Sequence, residues 1–269
     1  MLQKPSFPES IIETVERVSF LGTQVLEKIP DKNYNLTTFT FINFLERFTG
    51  YSKSISLLLN NYSNNTETSI GLILRTGLLD FFTIAYLSTY HPQIDTNENL
   101  INFQKKIGEL NSDHIHVTFK YLKLSLKNRI ISKQEFNLAI DSTRSNFSFL
   151  FHDSNIDYEF PEKNLIYKKF KSTTQLFTRI NSHKSLKDVS NVYDIYTYYS
   201  KYEHYGIMTH YMQRYDSKQD IERINLSLKY LIFGLTLSVT FINESLQSFN
   251  SEINELETLQ KQLNKILNN

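Results

Sequence analysis

Residues 70–88 read IGLILRTGLLDFFTIAYLS, and how this stretch is taken decides the fold. Apolar residues fall on nearly every side of a helical projection, so no wide solvent-facing stripe is left, which is the pattern of a helix inside a core. Arg75 and Asp80 stand in its middle, where two charges would be costly in lipid. A second apolar stretch, residues 230–242 (YLIFGLTLSVTFI), is too short to span a bilayer comfortably. Both are therefore expected to be buried core helices of a chain that has no membrane contact.

Working outward, Asn65 or Thr66 supplies a cap for a helix running to Tyr90, where His91-Pro92 stops it. The run 60–65 (NNYSNN) before it is a loop. Residues 8–29 place Ile11, Val15, Val18, Leu21 and Val25 on one helical face, with Pro8 in the first turn, and 36–60 form a second helix. Helices are expected over 96–110 and 113–128, separated by a break at Asn111-Ser112. Ser132 and Glu135 have capping-box spacing and open a helix to about Phe151. Helices near 172–182, over 188–206 and from Ser217 to about Phe249 follow, the last with Asp220 at its third position. Ile253, Leu256, Leu259, Leu263 and Ile266 then line one face of an amphipathic terminal helix.

The prediction is an all-α protein, a multi-helix bundle with a long amphipathic C-terminal helix, forming a single helical domain over residues 1–269. The helices 66–90, 188–206 and 217–249 are expected at its centre. The connection 152–164 (HDSNIDYEFPEKN) is the longest irregular one and the candidate mobile loop. The C-terminal helix is expected to fold back in cis, with a homodimer through it as the alternative.

Composition supports this reading. Of 269 residues, 40% are hydrophobic and 21% charged, ordinary values for a globular chain. Only seven glycines and five prolines are present, too few for the many tight turns of a sandwich or barrel. The net charge of +1 gives no global electrostatic case for nucleic acid. Lys163, Lys168, Lys169 and Lys171 cluster locally and are read as solvated surface. No cysteine occurs, which removes disulfides, thiolate catalysis and thiolate metal sites, and fits a reducing, cytoplasmic setting. The opening residues MLQKPSFPES lack the apolar run of a signal peptide.

Chemistry is concentrated in residues 193–215 (YDIYTYYSKYEHYGIMTHYMQRY), which hold eight of the 17 tyrosines and two of the seven histidines. Tyr196, Ser200 and His204 recur every fourth residue, so a phenol, a hydroxyl and an imidazole share one helical stripe. Ile195, Tyr198, Tyr199 and Tyr202 fall broadly on the other side, where rings can pack. Arg75 needs a partner if buried. Asp80, about 140° around the same helix, is poorly placed to serve, and Glu203 is a candidate from across the bundle. His204, Glu203 and His210 have no recognised metal-ligand spacing, and no metal or cofactor is expected. Phosphate-binding, dinucleotide-binding, HExxH and GxSxG motifs are all missing.

The segments ILRTGLLDFF at 73–82 and YTYYSKYEH at 196–204 resemble an uncharacterised family of bacterial helical proteins of unknown function. Its pattern is an apolar helix with Leu-Leu-Arg and an acid one turn later, then Tyr, Ser and His spaced by four. Arg75, Tyr196, Ser200 and His204 match, whereas the acidic position holds Leu79, with Asp80 one residue further. Such proteins are distantly similar to the HEPN superfamily of helical bundles, several of which are RNases in toxin and antiphage systems. Those enzymes use Arg, four to six residues, then His. Here Arg179 and His183 have three residues between them, and Arg144 and His152 have seven.

Two functions are weighed. The first is a non-catalytic helical module whose Arg75, Glu203 and His204 form a buried polar network. The second is a metal-independent RNA-cleaving or nucleotide-handling enzyme. There His204 would be the general base and Arg75 would hold a phosphate, with Tyr196 and Ser200 orienting substrate and Glu203 and Asp80 completing the site.

Overall fold

The computed structural model describes residues 7–62, 64–152, 156–167, 170–200 and 217–267. These form nine α-helices, and among the described residues extended pairing is confined to an isolated bridge between Phe151 and Leu165. The protein is an all-α multi-helix bundle. The helices are α1 (Glu9–Lys28), α2 (Leu36–Leu59), α3 (Asn64–Ser88), α4 (Leu100–Lys127), α5 (Lys133–Asn146), α6 (Thr173–Ser182), α7 (Ser190–Tyr199), α8 (Ser217–Leu246) and α9 (Asn250–Leu267). They fall into two compact units. One comprises residues 1–89 and 173–269, and the other residues 90–172.

The first unit is built on α2, α3 and α8, each packed against the other two. Helix α2 is central too, beside the helices 66–90, 188–206 and 217–249 expected there. Asn35 caps it by accepting a hydrogen bond from the Thr38 N–H at 2.9 Å. Phe41, Phe44 and Phe48 then recur every third and fourth residue on its buried face. Phe41 stacks on Phe241 of α8 with centroids 4.3 Å apart, and Phe81 of α3 meets Tyr230 of α8 at 5.2 Å. Burying each such ring contributes roughly 1.5–3 kcal/mol. Close approach needs glycine. A Cβ on Gly234 of α8 would run into the Phe48 ring.

Helix α7 packs against α3, α6 and α8. The described part ends at Ser200, so the remainder of the expected 188–206 helix lies outside the described residues. Helix α8 begins at Ser217 and stops at Leu246, short of the expected Phe249. Gln247 takes a left-handed backbone with φ 52°, and the Asn243 side chain accepts from the Phe249 N–H at 2.8 Å. This corner turns the chain back, so that α9 packs on α1 and α8 with Leu256 and Leu263 buried. Two ion pairs, Arg17–Glu255 and Lys28–Glu252, each at 2.5 Å, tie α9 to α1.

The second unit holds α4, α5 and two single helical turns, 148–150 and 161–164. Helix α4 is continuous from Leu100 to Lys127, which corrects the break expected at Asn111-Ser112. Both residues are buried, and Asn111 donates back to the Ile107 carbonyl at 2.9 Å, so its amide is satisfied without interrupting the helix. The capping box is present, with Ser132 N–H to Glu135 at 2.7 Å and Glu135 N–H to Ser132 at 3.2 Å. Helix α5 ends at Asn146 rather than near Phe151. The ends of segment 152–164 are joined by His152 N–H to Asn164 O at 2.8 Å and Ile166 N–H to Leu150 O at 2.9 Å.

Candidate functional site

Helix α3 carries two charged candidates, and the helical twist sends them to different neighbours. Asp80 turns towards α2. Its carboxylate accepts from the Tyr51 hydroxyl at 2.7 Å and pairs with Arg47 Nε at 2.8 Å. Arg47 also donates to the Tyr51 oxygen at 3.3 Å. Guanidinium, phenol and carboxylate thus close a small ring of polar contacts between two helices. Asp80 is 5% exposed, and this burial pushes its carboxyl up to about 6, even though Arg47 and Tyr51 both pull it down. Burial, followed by the neighbouring Asp80 charge, pushes the Tyr51 phenol up to about 12.

Arg75 turns towards α7, where its guanidinium lies 5.1 Å from the centre of the Tyr196 ring. Tyr196 stands edge-on to Phe82 at 5.6 Å. Tyr193, one turn earlier, stacks on Phe177 of α6 at 4.5 Å. Arg75 is therefore seated on an aromatic cluster drawn from α3, α6 and α7, a cation–π contact of about 0.5–2 kcal/mol. On the far side of α7, Arg223 of α8 lies 3.8 Å from the Tyr198 ring centre. Two arginines from two helices thus bracket α7 through its tyrosines. The Ser200 hydroxyl donates to the Thr197 carbonyl of its own helix at 2.6 Å.

The structure brings Arg75 and Tyr196 together and directs Asp80 elsewhere. Glu203, His204 and His210 lie outside the described residues. Ile195 and Tyr199 are buried, as their side of the helix requires. Arg47, Tyr51 and Arg223 did not stand out in the sequence. The one available signal was the four-residue spacing of Arg47 and Tyr51, which puts a cation and a phenol on one stripe of α2. Among the described residues, no group of three or more His, Asp and Glu side chains is placed to hold a metal ion.

Two cavities lie among the described residues of the second unit. One of about 300 Å³ is lined by Arg144, Ser148, Phe149, Phe151 and His152. The other, about 440 Å³, lies between α4 and the segment that returns past the 161–164 turn, with Ser112, His116, Lys120, Glu162, Lys163 and Tyr167 in its walls.

No family model, curated protein or solved structure matches this chain. Its own geometry therefore carries the functional reading.

Proposed function

We propose that this chain is a non-catalytic, cytoplasmic helical protein, an interaction module whose internal polar groups hold its own helices in register. The observation that carries this reading is the pairing of Asp80. A carboxylate meant to act on a substrate needs an open face, whereas both the Tyr51 hydroxyl and the Arg47 guanidinium are directed at this one. The Ser200 hydroxyl is likewise engaged within its own helix, and Arg75 rests on a ring.

Two helical stretches, residues 66–88 and 221–246, are long and apolar enough to cross a membrane by length and composition. We read them as core helices, since 72% of each apolar window is buried inside the fold. Helix α9 does not need a second copy to cover Leu256 and Leu263, which are buried where it packs on α1 and α8.

The test pairs thermal melting with RNA cleavage for wild type, Asp80→Asn, Arg75→Ala and His204→Ala. The proposal expects lowered melting temperatures for the Asp80 and Arg75 variants and no cleavage by any protein. Wild-type cleavage that vanishes in a fully folded Arg75→Ala or His204→Ala variant would overturn it.

A second reading, RNA cleavage of the HEPN kind, has one observation in its favour. Arg144 and His152 line a single cavity although seven residues separate them in sequence. A guanidinium and an imidazole facing one cavity could hold a phosphate and move a proton. This reading expects wild-type RNase activity that is lost in a folded His152→Ala variant.

A further inference from the structure

The 440 Å³ cavity of the second unit has the features of a built binding site. Its volume falls in the range of about 300–1,000 Å³ that small-molecule sites occupy. One wall is α4, and the other is the chain from Glu162 to Tyr167. The two walls are set by a glycine: a Cβ on Gly108 would lie 2.5 Å from the Tyr167 ring, so only glycine lets this ring lie against α4 one turn before Ser112.

Ser112 is the decisive residue. It is 1% exposed and lines the cavity, and its hydroxyl has no hydrogen-bond partner. Many hydroxyls on the helices of this protein return to a carbonyl one turn back, as Thr118 does to His114 at 3.0 Å on α4 itself, whereas those of Ser112 and of Thr49 on α2 are buried without a partner, and of these two Ser112 lines a cavity. A buried hydroxyl left unmatched is costly and points to a group arriving from the cavity.

Charge around the cavity is unequal once internal pairs are removed. Glu162 is held by Lys123, both oxygens at 2.9 Å, while Asp113, also in the wall, accepts from the Phe170 N–H at 3.3 Å, a neutral donor that does not cancel its charge, so two lysines face one uncompensated acid. Exposed Lys120 and Lys163 remain at the rim, with Lys163 lying 3.9 Å over the Phe160 ring. The site therefore offers cations at its mouth, a ring and aliphatic side chains along its walls, and a hydroxyl at its floor.

We propose that this cavity binds a small organic anion with a flat aromatic body, its anionic group at Lys120 and Lys163 and a polar ring atom at Ser112. The inference goes beyond the structural reading of the core and does not depend on the Asp80 contacts.

The experiment is isothermal titration of the full chain with adenosine 5′-monophosphate as the probe, and with adenosine and inorganic phosphate as its separate halves. The expected result is saturable binding of the whole probe, with each half at least tenfold weaker. Lys120→Glu, a change at an exposed position, is expected to weaken binding tenfold or more with the melting temperature unchanged. Gly108→Ala, which displaces the Tyr167 ring, weakens it as well. Absence of saturable binding would overturn the proposal. So would phosphate binding as tightly as the whole probe, or full affinity retained in folded Lys120→Glu.

Discussion

The Tyr51 hydroxyl donates to the Asp80 carboxylate at 2.7 Å, joining the middle of α2 to the middle of α3. The acid is buried, and burial raises its pKa from the ordinary 3.8 to about 6. Between these two values the folded protein binds a proton that the unfolded chain releases, so stability from this group falls as pH rises from about 4 to 6. The full effect is on the order of 3 kcal/mol. Asn in place of Asp80 removes it. The stability advantage of wild type over Asp80→Asn should therefore widen on acidification from pH 7 to pH 4, read by urea denaturation at each pH. A constant or narrowing gap would show that Asp80 is not buried as described.

Tyr51→Phe isolates the hydroxyl. The ring keeps its edge-on contact with Phe48 at 6.2 Å, while the acid loses a donor. A cost of about 1–3 kcal/mol is expected, because a buried carboxylate is left with one partner fewer. It should shrink at pH 4, where Asp80 is protonated in both proteins. Equal costs at pH 4 and pH 7 would assign the loss to packing instead.

Two glycines separate packing from backbone entropy. Gly234 faces the Phe48 ring with no room for a methyl group, whereas a Cβ on Gly50 in α2 meets nothing within 4 Å. Gly234→Ala should destabilise by about 1–3 kcal/mol through overpacking. Gly50→Ala should stabilise by about 0.5–1 kcal/mol, because alanine loses less entropy in a helix. Opposite shifts in the denaturation midpoint are the readout, and the same sign for both would contradict the interhelical contact at Gly234.

What was legible in the sequence was local. The capping box at Ser132 and Glu135, the apolar face of α1 and the burial of α3 all follow from spacing within one helix. What was hidden depended on residues distant in sequence. Asp80 finds its hydroxyl partner 29 residues upstream on α2, and neither residue's own helix indicates the register that brings them together. Polar Asn111 and Ser112 suggested a break, but an amide that can return to its own helix leaves the backbone intact. Arg75 needed a partner, and one that it has is the Tyr196 ring. Ring contacts with cations leave no charge pattern in the sequence.

That ring contact is itself testable. Tyr196→Phe keeps the face on which Arg75 rests and its edge-on meeting with Phe82. It should change stability by less than about 0.5 kcal/mol, whereas Tyr196→Leu should cost about 1–2 kcal/mol. If Arg75 is first replaced by Met, the part of the Leu penalty due to the cation should disappear, which a double-mutant cycle measures. A coupling near zero would mean that Tyr196 acts through packing alone.

The corner between α8 and α9 rests on Gln247 and Asn243. Gln247 adopts φ 52°, a left-handed conformation that costs a residue with a Cβ about 1 kcal/mol or more. Glycine carries no such penalty, but it also gains freedom in the unfolded chain, which offsets part of the benefit. Gln247→Gly should therefore stabilise modestly, by up to about 1 kcal/mol. Asn243→Ala should do the reverse, because the Phe249 N–H and the Asn250 side chain both rely on Asn243, each at 2.8 Å. Phe249 is fully buried at this turn, so loosening the corner would release α9 before the rest of the fold. Hydrogen exchange in α9 should rise in Asn243→Ala while exchange in α2 and α3 stays unchanged. Uniform loss of protection throughout would show that the corner and the core unfold as one.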